Sequence, residues 1–320
     1  SARQVNKNNY FEIDTYEQLR ALDGNSNQLQ SKVIELLADI FNVDSSEITD
    51  ISALKKGMTN RSFLFSVRGK QYIMRIPGEG TDMLINRKEE ASVYELIKDK
   101  NICDKVIYLD PNNGYKVTGF LNEARNCDPL NNEDVKKCMG FLRAFHDKKF
   151  KVGHTFDIYK QIDFYESLWS GKSSVYADYE QTNKEVFDLK VFIDRHKKEY
   201  CLTHIDAVPD NFLFTNCGGN EEIKLIDWEY AGMQDPDVDL AMFSIYSLYN
   251  KEQIDNLLES YYIEGYSKET KLKIYCYIAA CGLLWSNWCE YKRSLGVEFG
   301  EYSLRQYRYA KDYYKIAKEE

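Results

Sequence analysis

Thr203-His204-Ile205-Asp206-Ala207-Val208-Pro209-Asp210-Asn211-Phe212-Leu213-Phe214, followed by Ile223-Lys224-Leu225-Ile226-Asp227-Trp228-Glu229, is the stretch whose reading decides the fold. Its first half ends in the turn formers Pro209, Asp210 and Asn211 and reads as a loop. Phe212-Leu213-Phe214 and Ile223 to Trp228 read as the two strands of a hairpin, joined by a polar turn from Thr215 to Glu222. Asp206 and Asn211 stand five residues apart on the loop, and Asp227 follows sixteen residues later at the end of the returning strand. The hairpin therefore gathers two carboxylates and an amide in one place. Oxygen ligands of this kind suit Mg2+, a hard cation that keeps several waters and bridges phosphates.

The spacing H-x-D-x-x-x-x-N with an Asp at a strand end is the arrangement that protein-kinase-like folds use for phosphoryl transfer. Asp and Asn are also ordinary turn residues, and one alone would be uninformative. Here His204, Asp206, Asn211 and Asp227 occur together and in order, which favours the catalytic reading. His204 is read as a holder of the loop through hydrogen bonds, without a part in proton transfer.

A phosphate site should lie upstream of such a loop. Gly57-Met58-Thr59-Asn60-Arg61-Ser62 precedes the first strand. Gly57 would let the backbone approach phosphates, and Thr59, Asn60 and Ser62 would add donors, although the stretch taken alone equals a simple turn. Arg75 stands in an apolar strand, where a charge needs a partner, and Glu90 or Glu89 on the next helix can supply it. That reproduces the basic-residue-to-helix-Glu pair of kinases with Arg in place of Lys.

Around these residues the pattern is segregated. Residues 10–50 show helical spacing through Leu29, Val33, Leu36, Leu37 and Ile40. From about Leu54 it changes: Phe63, Phe65 and Val67 alternate with polar neighbours, Gly69-Lys70 reads as a hairpin turn, and Tyr72 to Ile76 as a second strand. Residues 85–100 return to helical spacing, and short strands follow near 105–109 and 115–121. Beyond Asn122 helices dominate, apart from the hairpin. This predicts an α+β fold with two lobes: residues 1–122, including a helical extension over 1–50, and residues 123–320.

Composition narrows the function. The 320 residues carry 42 Lys plus Arg against 51 Asp plus Glu, a net charge of −9 that argues against a nucleic-acid partner and tolerates a cationic one. The longest mainly apolar run, Ile274 to Trp285, is too short to cross a bilayer. The first residues carry no signal-peptide core, so a cytoplasmic location with reduced thiols is expected. Eight dispersed cysteines without a C-x-x-C pair, and four His without H-x-x-x-H, argue against zinc. The 25 Tyr, 16 Phe and 4 Trp serve mostly a core, and position must select the few that serve function.

The chain resembles the choline and ethanolamine kinases, most closely the bacterial Lic-type branch, within the aminoglycoside-phosphotransferase-like group. The resemblance runs from about Leu54 to Arg308. It rests on GMTNRSFLF (57–65), YIMRIPGEGTDMLINR (72–87), THIDAVPDNFLF (203–214), IKLIDWEYAGMQDPDVDLA (223–241) and LLWSNW (283–288). It implies a two-lobed protein-kinase-like fold and transfer of the ATP γ-phosphoryl group to choline. It further implies that Asp206 orients or deprotonates the choline hydroxyl, that Asn211 and Asp227 hold Mg2+, and that Arg75, braced by Glu90, meets nucleotide phosphates. Phe120 and Leu121 would fall near the adenine, and Asp239 would steady the catalytic loop.

The chemistry of choline can be judged separately. A quaternary ammonium has no N–H to donate and is best bound by aromatic faces and diffuse negative charge. Trp285 and Trp288 lie at i and i+3, hence on one helix face, which Tyr291 continues; simple core packing is the alternative. Glu229, two residues after Asp227, can bring a carboxylate near the ammonium. The family places another aromatic in the terminal helix, where this chain reads Leu304, and Tyr302 or Tyr307 are the candidates to replace it. The rivals are an ethanolamine kinase, which should prefer carboxylates to rings, an aminoglycoside kinase, which needs a broad acidic groove, and a kinase-like binding protein without catalysis.

Overall fold

The protein's structure, a computed structural model, describes residues 32–54, 60–78, 81, 83–169 and 173–320. The chain divides into two units: the described residues up to Ala91 with Asp104–Asn122, and Ser92–Cys103 with Glu123–Glu320.

The first unit opens with helix α1 (Lys32–Phe41). Asp44 then caps a single 3-10 turn in a reciprocal box with Glu47, satisfying amides that a helix start would leave bare. Five antiparallel strands follow: β1 (Ile48–Ala53), β2 (Asn60–Val67), β3 (Lys70–Pro77), β4 (Val106–Leu109) and β5 (Lys116–Gly119), ordered β1-β2-β3-β5-β4. The alternation read from the sequence sets the buried face: Phe63, Phe65 and Val67 join Ile48, Ile51, Met74 and Val117, with Ile34 and Leu37 of α1 packed into the same core.

Three details differ from the sequence expectation. Helical spacing does not extend to residue 50, because β1 begins at Ile48; its register breaks between Thr49 and Ser52, with Asp50 at φ +51°, and such a bulge erases the two-residue period that marks a strand. The β2–β3 turn is Arg68-Gly69, one residue earlier than expected, since Val67 pairs with Lys70. Both turn residues have positive φ, the two-residue geometry whose twist matches flanking strands. Phe120 and Leu121 lie beyond β5 rather than within it, although the Phe120 amide still donates to the Gln71 carbonyl at 3.1 Å.

Helix α2 (Arg87–Ile97) carries the chain into the second unit. There follow β6 (Arg125–Asn126), α3 (Asn132–His146), α4 (Ile158–Trp169), α5 (Tyr179–Asp188), α6 (Lys190–His196), β7 (Cys201–Thr203), β8 (Phe212–Cys217), β9 (Asn220–Leu225), β10 (Gly232–Gln234), α7 (Asp237–Tyr246), α8 (Lys251–Tyr261), α9 (Lys268–Ser294) and α10 (Glu301–Glu319). Two small antiparallel sheets, β6-β8-β9 and β10-β7, present the loop between them. The hairpin is tighter than expected: Thr215 pairs with Glu222 and Asn216 with Glu221, and the reversal narrows to Gly218-Gly219, both at positive φ. Polar side chains had disguised a continuing strand as a turn.

Helix α9 is the axis of this unit. Every residue from Lys273 to Lys292 is buried, so it is enclosed all round like a core helix. Near its start, Lys273 is 1% exposed and ion-paired with Asp235 at 2.7 Å and Asp237 at 2.9 Å. No helix among the described residues is long and apolar enough to cross a membrane.

Candidate active site

The loop from His204 to Asn211 leaves β7 and enters β8. Asp239 of α7, fully buried, grips its start: one oxygen accepts the Ile205 amide at 2.7 Å, the other the His204 amide at 3.0 Å. His146 of α3 donates Nε2 to the same Asp239 oxygen at 3.0 Å, while its Nδ1 lies 2.9 Å from the Tyr261 hydroxyl. The grip matters because Ile205 sits at φ +71°, a conformation that costs a β-branched residue about 1–2 kcal/mol. Charge-assisted hydrogen bonds to both flanking amides offset that strain.

The end of β9 is stitched to the same loop. The Ile226 amide donates to the Asn211 carbonyl at 3.0 Å, and His204 Nε2 donates to the Ile226 carbonyl at 3.0 Å. His204 is therefore engaged as a brace, with its ring edge-on to Trp228 at 4.5 Å. Asp227, the next residue, also has positive φ, +67°. A second strained position thus sits at the point where the sequence places a metal ligand.

Asn211 Nδ2 donates to the Asp206 carbonyl at 2.8 Å and to Asp206 Oδ2 at 3.1 Å, which turns the Asn211 amide oxygen away as an acceptor. Burial pushes the Asp206 carboxyl well above its usual range, and repulsion from Asp227 and Glu229 pushes the same way, against the Asn211 hydrogen bond. Carboxylates set this close call for positive charge. No three acidic or His/Cys side chains among the described residues converge as a metal site; the oxygens of Asp227 and Asn211 are of the kind a hard divalent cation takes.

Aromatic rings extend from this cluster. Tyr230, directly after Glu229, stands edge-on to Trp285 at 5.5 Å, and Trp285 edge-on to Trp288 at 5.8 Å. The run leaves α9 through Phe299, 5.1 Å from Trp288, and reaches Tyr302 at 6.5 Å. Tyr302 meets Tyr246 at 6.4 Å, and the Tyr246 hydroxyl donates to Asp210 of the loop at 2.6 Å. The rings thus begin and end on the segments that carry Asp206, Asp227 and Glu229. Tyr165 of α4 is fully buried, and its hydroxyl has no hydrogen-bond partner among the described residues. Burial raises the Tyr165, Tyr230 and Tyr302 phenols, and the negative charge of Asp206 reaches all three.

The expected members fare differently. Of the two candidates in α10, Tyr302 joins the ring run. Tyr307 stacks on Tyr176 at 3.8 Å and donates to Asp178 at 2.8 Å, away from it. Leu304 is exposed. Tyr291 is buried, and at about 100° per residue it stands about 60° round from Trp288, on the side away from Trp285. Tyr165, Tyr230, Phe299 and Tyr246 were missed. Tyr230 had a signal, since it continues the Asp227-Trp228-Glu229 run; a lone Tyr165 on an amphipathic helix looks like core.

In the first unit, Arg75 is buried and makes a two-pronged pair with Glu90 at 2.5 and 2.9 Å, and donates to the Gly114 carbonyl at 3.0 Å. Arg87 joins the same carboxylate at 3.0 Å, and the Lys116 ammonium stands at 3.9 Å. Burial raises the Glu90 carboxyl, but Arg75, Lys116 and Arg87 more than offset this and hold it down at about 2. Glu90 is thus the partner, while Glu89 is exposed. Asn60 is buried, 3.5 Å from Arg87, and Ser62 lies across from Arg75 in the strand register. Phe120 and Leu121 are half-buried. Gly57 and Thr59 lie outside the described residues.

Comparison with known proteins places this arrangement. The family model described as choline/ethanolamine kinase matches residues 51–304. Protein LicA of Haemophilus influenzae is 28% identical over 263 residues, which cover 78% of this chain and 76% of that protein. The solved structure of choline kinase LicA from Streptococcus pneumoniae gives a TM-score of 0.78 at 29% identity, over 91% of this chain and 100% of that one. A structure of LicA in complex with AMP gives 0.74 at 29% identity, over 90% and 99%. With an antiparallel sheet towards the N-terminus and helices towards the C-terminus, the fold is protein-kinase-like.

Proposed function

Because the chain belongs to the choline/ethanolamine kinase family, ATP-dependent enzymes acting on an alcohol, we propose that it converts choline and ATP to phosphocholine and ADP. The observation that carries this reading is the run of rings from Tyr230, next in sequence to Glu229, through Trp285, Trp288 and Phe299 to Tyr302. Aromatic faces next to carboxylates suit a cation that cannot donate a hydrogen bond. Glu229 adds charge near the ammonium, and the choline hydroxyl is directed to Asp206.

Transfer is direct and in line, without a covalent enzyme intermediate. A bond forms from the choline oxygen to the γ-phosphorus as the bond to the β-phosphate oxygen breaks. Asp206 orients the hydroxyl and takes its proton; its raised carboxyl is adapted to that task once positive charge surrounds it. Asn211 and Asp227 would hold Mg2+, which neutralises phosphate charge when bound. Arg75, fixed by Glu90, meets nucleotide phosphates, with Asn60, Ser62 and the Gly57–Thr59 stretch as further donors and Phe120 and Leu121 towards the adenine. The nucleotide reading is supported by the AMP complex of the LicA relative.

Ethanolamine is the second reading, favoured by one observation: the buried Tyr165 hydroxyl, without a hydrogen-bond partner among the described residues, offers an acceptor that an ammonium N–H can use and a quaternary ammonium cannot. A coupled ADP-release assay across choline, ethanolamine and an aminoglycoside decides between them, and choline is expected to give the highest kcat/KM. Asp206→Asn should lower kcat by at least about a hundredfold while nucleotide binding persists. Near-normal turnover of that variant removes Asp206 from its role, and a preference for ethanolamine replaces choline as the acceptor.

A further inference from the structure

Helices α9 and α10 run side by side in opposite directions, as three pairings show: Tyr275 with Tyr313, Gly282 with Gln306 to Ala310, and Trp288 with Phe299. Gly282 lies deep inside α9, where glycine is a poor helix former compared with alanine. The reason for it is spatial. A Cβ at this position would stand 2.7 Å from the Gln306 carbonyl oxygen, 2.9 Å from the Ala310 amide nitrogen and 2.9 Å from Tyr309 Cβ. Two of those atoms are backbone, so no rotamer change makes room.

We propose that Gly282 is a specificity-determining position that sets the width of the amine enclosure by letting α10 lie against α9. The proposal rests on the ammonium reading above. Gly282 is one turn before Trp285, and Gln306 one turn after Tyr302, so the close contact is the hinge line nearest the rings. The loop beyond it carries Phe299, which stands between Trp288 and Tyr302. Gln306 also donates Nε2 to the Ile245 carbonyl at 3.2 Å, which ties α10 to the end of α7 beside Tyr246. Ordinary contact begins at 3.4 Å, so an alanine at 282 makes α10 retreat by about 0.7 Å. The retreat carries Tyr302 and Phe299 away from Trp288. Gly282 touches no substrate and acts through these rings as a positioning residue.

A wider enclosure grips trimethylammonium less well and admits a larger head group. The test compares wild type, Gly282→Ala and Gln306→Ala on choline and on its N,N,N-triethyl analogue, with ATP KM and thermal unfolding measured alongside. In folded Gly282→Ala the choline KM should rise about three- to tenfold with ATP KM unchanged, since ring contacts with the cation weaken steeply with distance. The triethyl-to-choline ratio of kcat/KM should rise at least about threefold; simple destabilisation would not move this ratio. A folded Gly282→Ala protein with the wild-type ratio overturns the proposal. Should that variant not fold, Gln306→Ala decides: a rise in the ratio supports the proposal, and no change overturns it. Wild-type protein inactive on choline but active on another alcohol refutes the choline reading instead, and that control separates the two failures.

Discussion

Asp239→Ala is the most informative single change. Asp239 accepts the His204 and Ile205 amides and pairs with His146, all in a fully buried setting. Removing the carboxylate orphans two buried amides, at about 1–3 kcal/mol each, and strips the imidazole of its acceptor. A loss of about 3–5 kcal/mol follows, large but within the 5–15 kcal/mol typical of domains. The effect on chemistry is separate. Ile205, no longer held at φ +71°, relaxes towards an ordinary conformation and takes Asp206, the next residue, with it. A displacement of about 1 Å at the reacting group lowers turnover by about a hundredfold. Urea unfolding followed by tryptophan fluorescence reads the first effect, and coupled ADP release on the folded fraction reads the second. Asp239→Asn keeps one acceptor oxygen and should fall between wild type and Ala in both. Stability within about 1 kcal/mol of wild type would refute the anchoring argument. Lowered stability with undiminished kcat would show that the loop holds Asp206 without Asp239.

Other expectations are equally concrete. The Glu90 carboxyl is held down at about 2 against a model-peptide value of 4.5. Its contribution is therefore present above about pH 4.5 and lost as pH falls towards 2, and amounts to about 3 kcal/mol. Urea midpoints across that range should fall steeply in wild type and flatten in Glu90→Gln. Trp288→Ala should raise the choline KM about tenfold with ATP KM unchanged, matching loss of a desolvated cation–π contact; an unchanged choline KM removes Trp288 from the site. Gly114→Ala places a Cβ 2.5 Å from Arg87 Nε at a residue with φ +73°. It should cost at least about 1–2 kcal/mol in a melt and raise ATP KM by displacing Arg87 from Glu90.

The sequence was legible where one local period or one fixed spacing governs. The alternation of Phe63, Phe65 and Val67 set the face of β2, and His204, Asp206, Asn211 and Asp227 marked the loop before any coordinate. It was opaque where geometry is made by two distant segments. The bulge in β1 hides its strand period, and polar Thr215 to Glu222 continue a ladder that only pairing reveals. Arg87 and Lys116 gained significance from converging on Glu90. Tyr302 could be singled out from Tyr307 only when α10 was placed, since both are tyrosines on the same amphipathic helix.

Helix α9 has 27 residues, a rod about 40 Å long. Lys273 pins it to Asp235 and Asp237, on the same short turn from which Asp239 reaches the catalytic loop. Trp285 and Trp288 ride further along. The rings proposed to bind the acceptor and the anchor of the His204–Asn211 loop are thus mounted on one rail whose register is fixed elsewhere. On the proposed acceptor reading, lineages that inherit this rail can exchange the passengers at 285, 288 and 302 and explore new alcohols, while the placement of the loop that carries Asp206 is inherited intact. Mutational drift in such a lineage should accumulate at the rings and be purged at 235, 237 and 273.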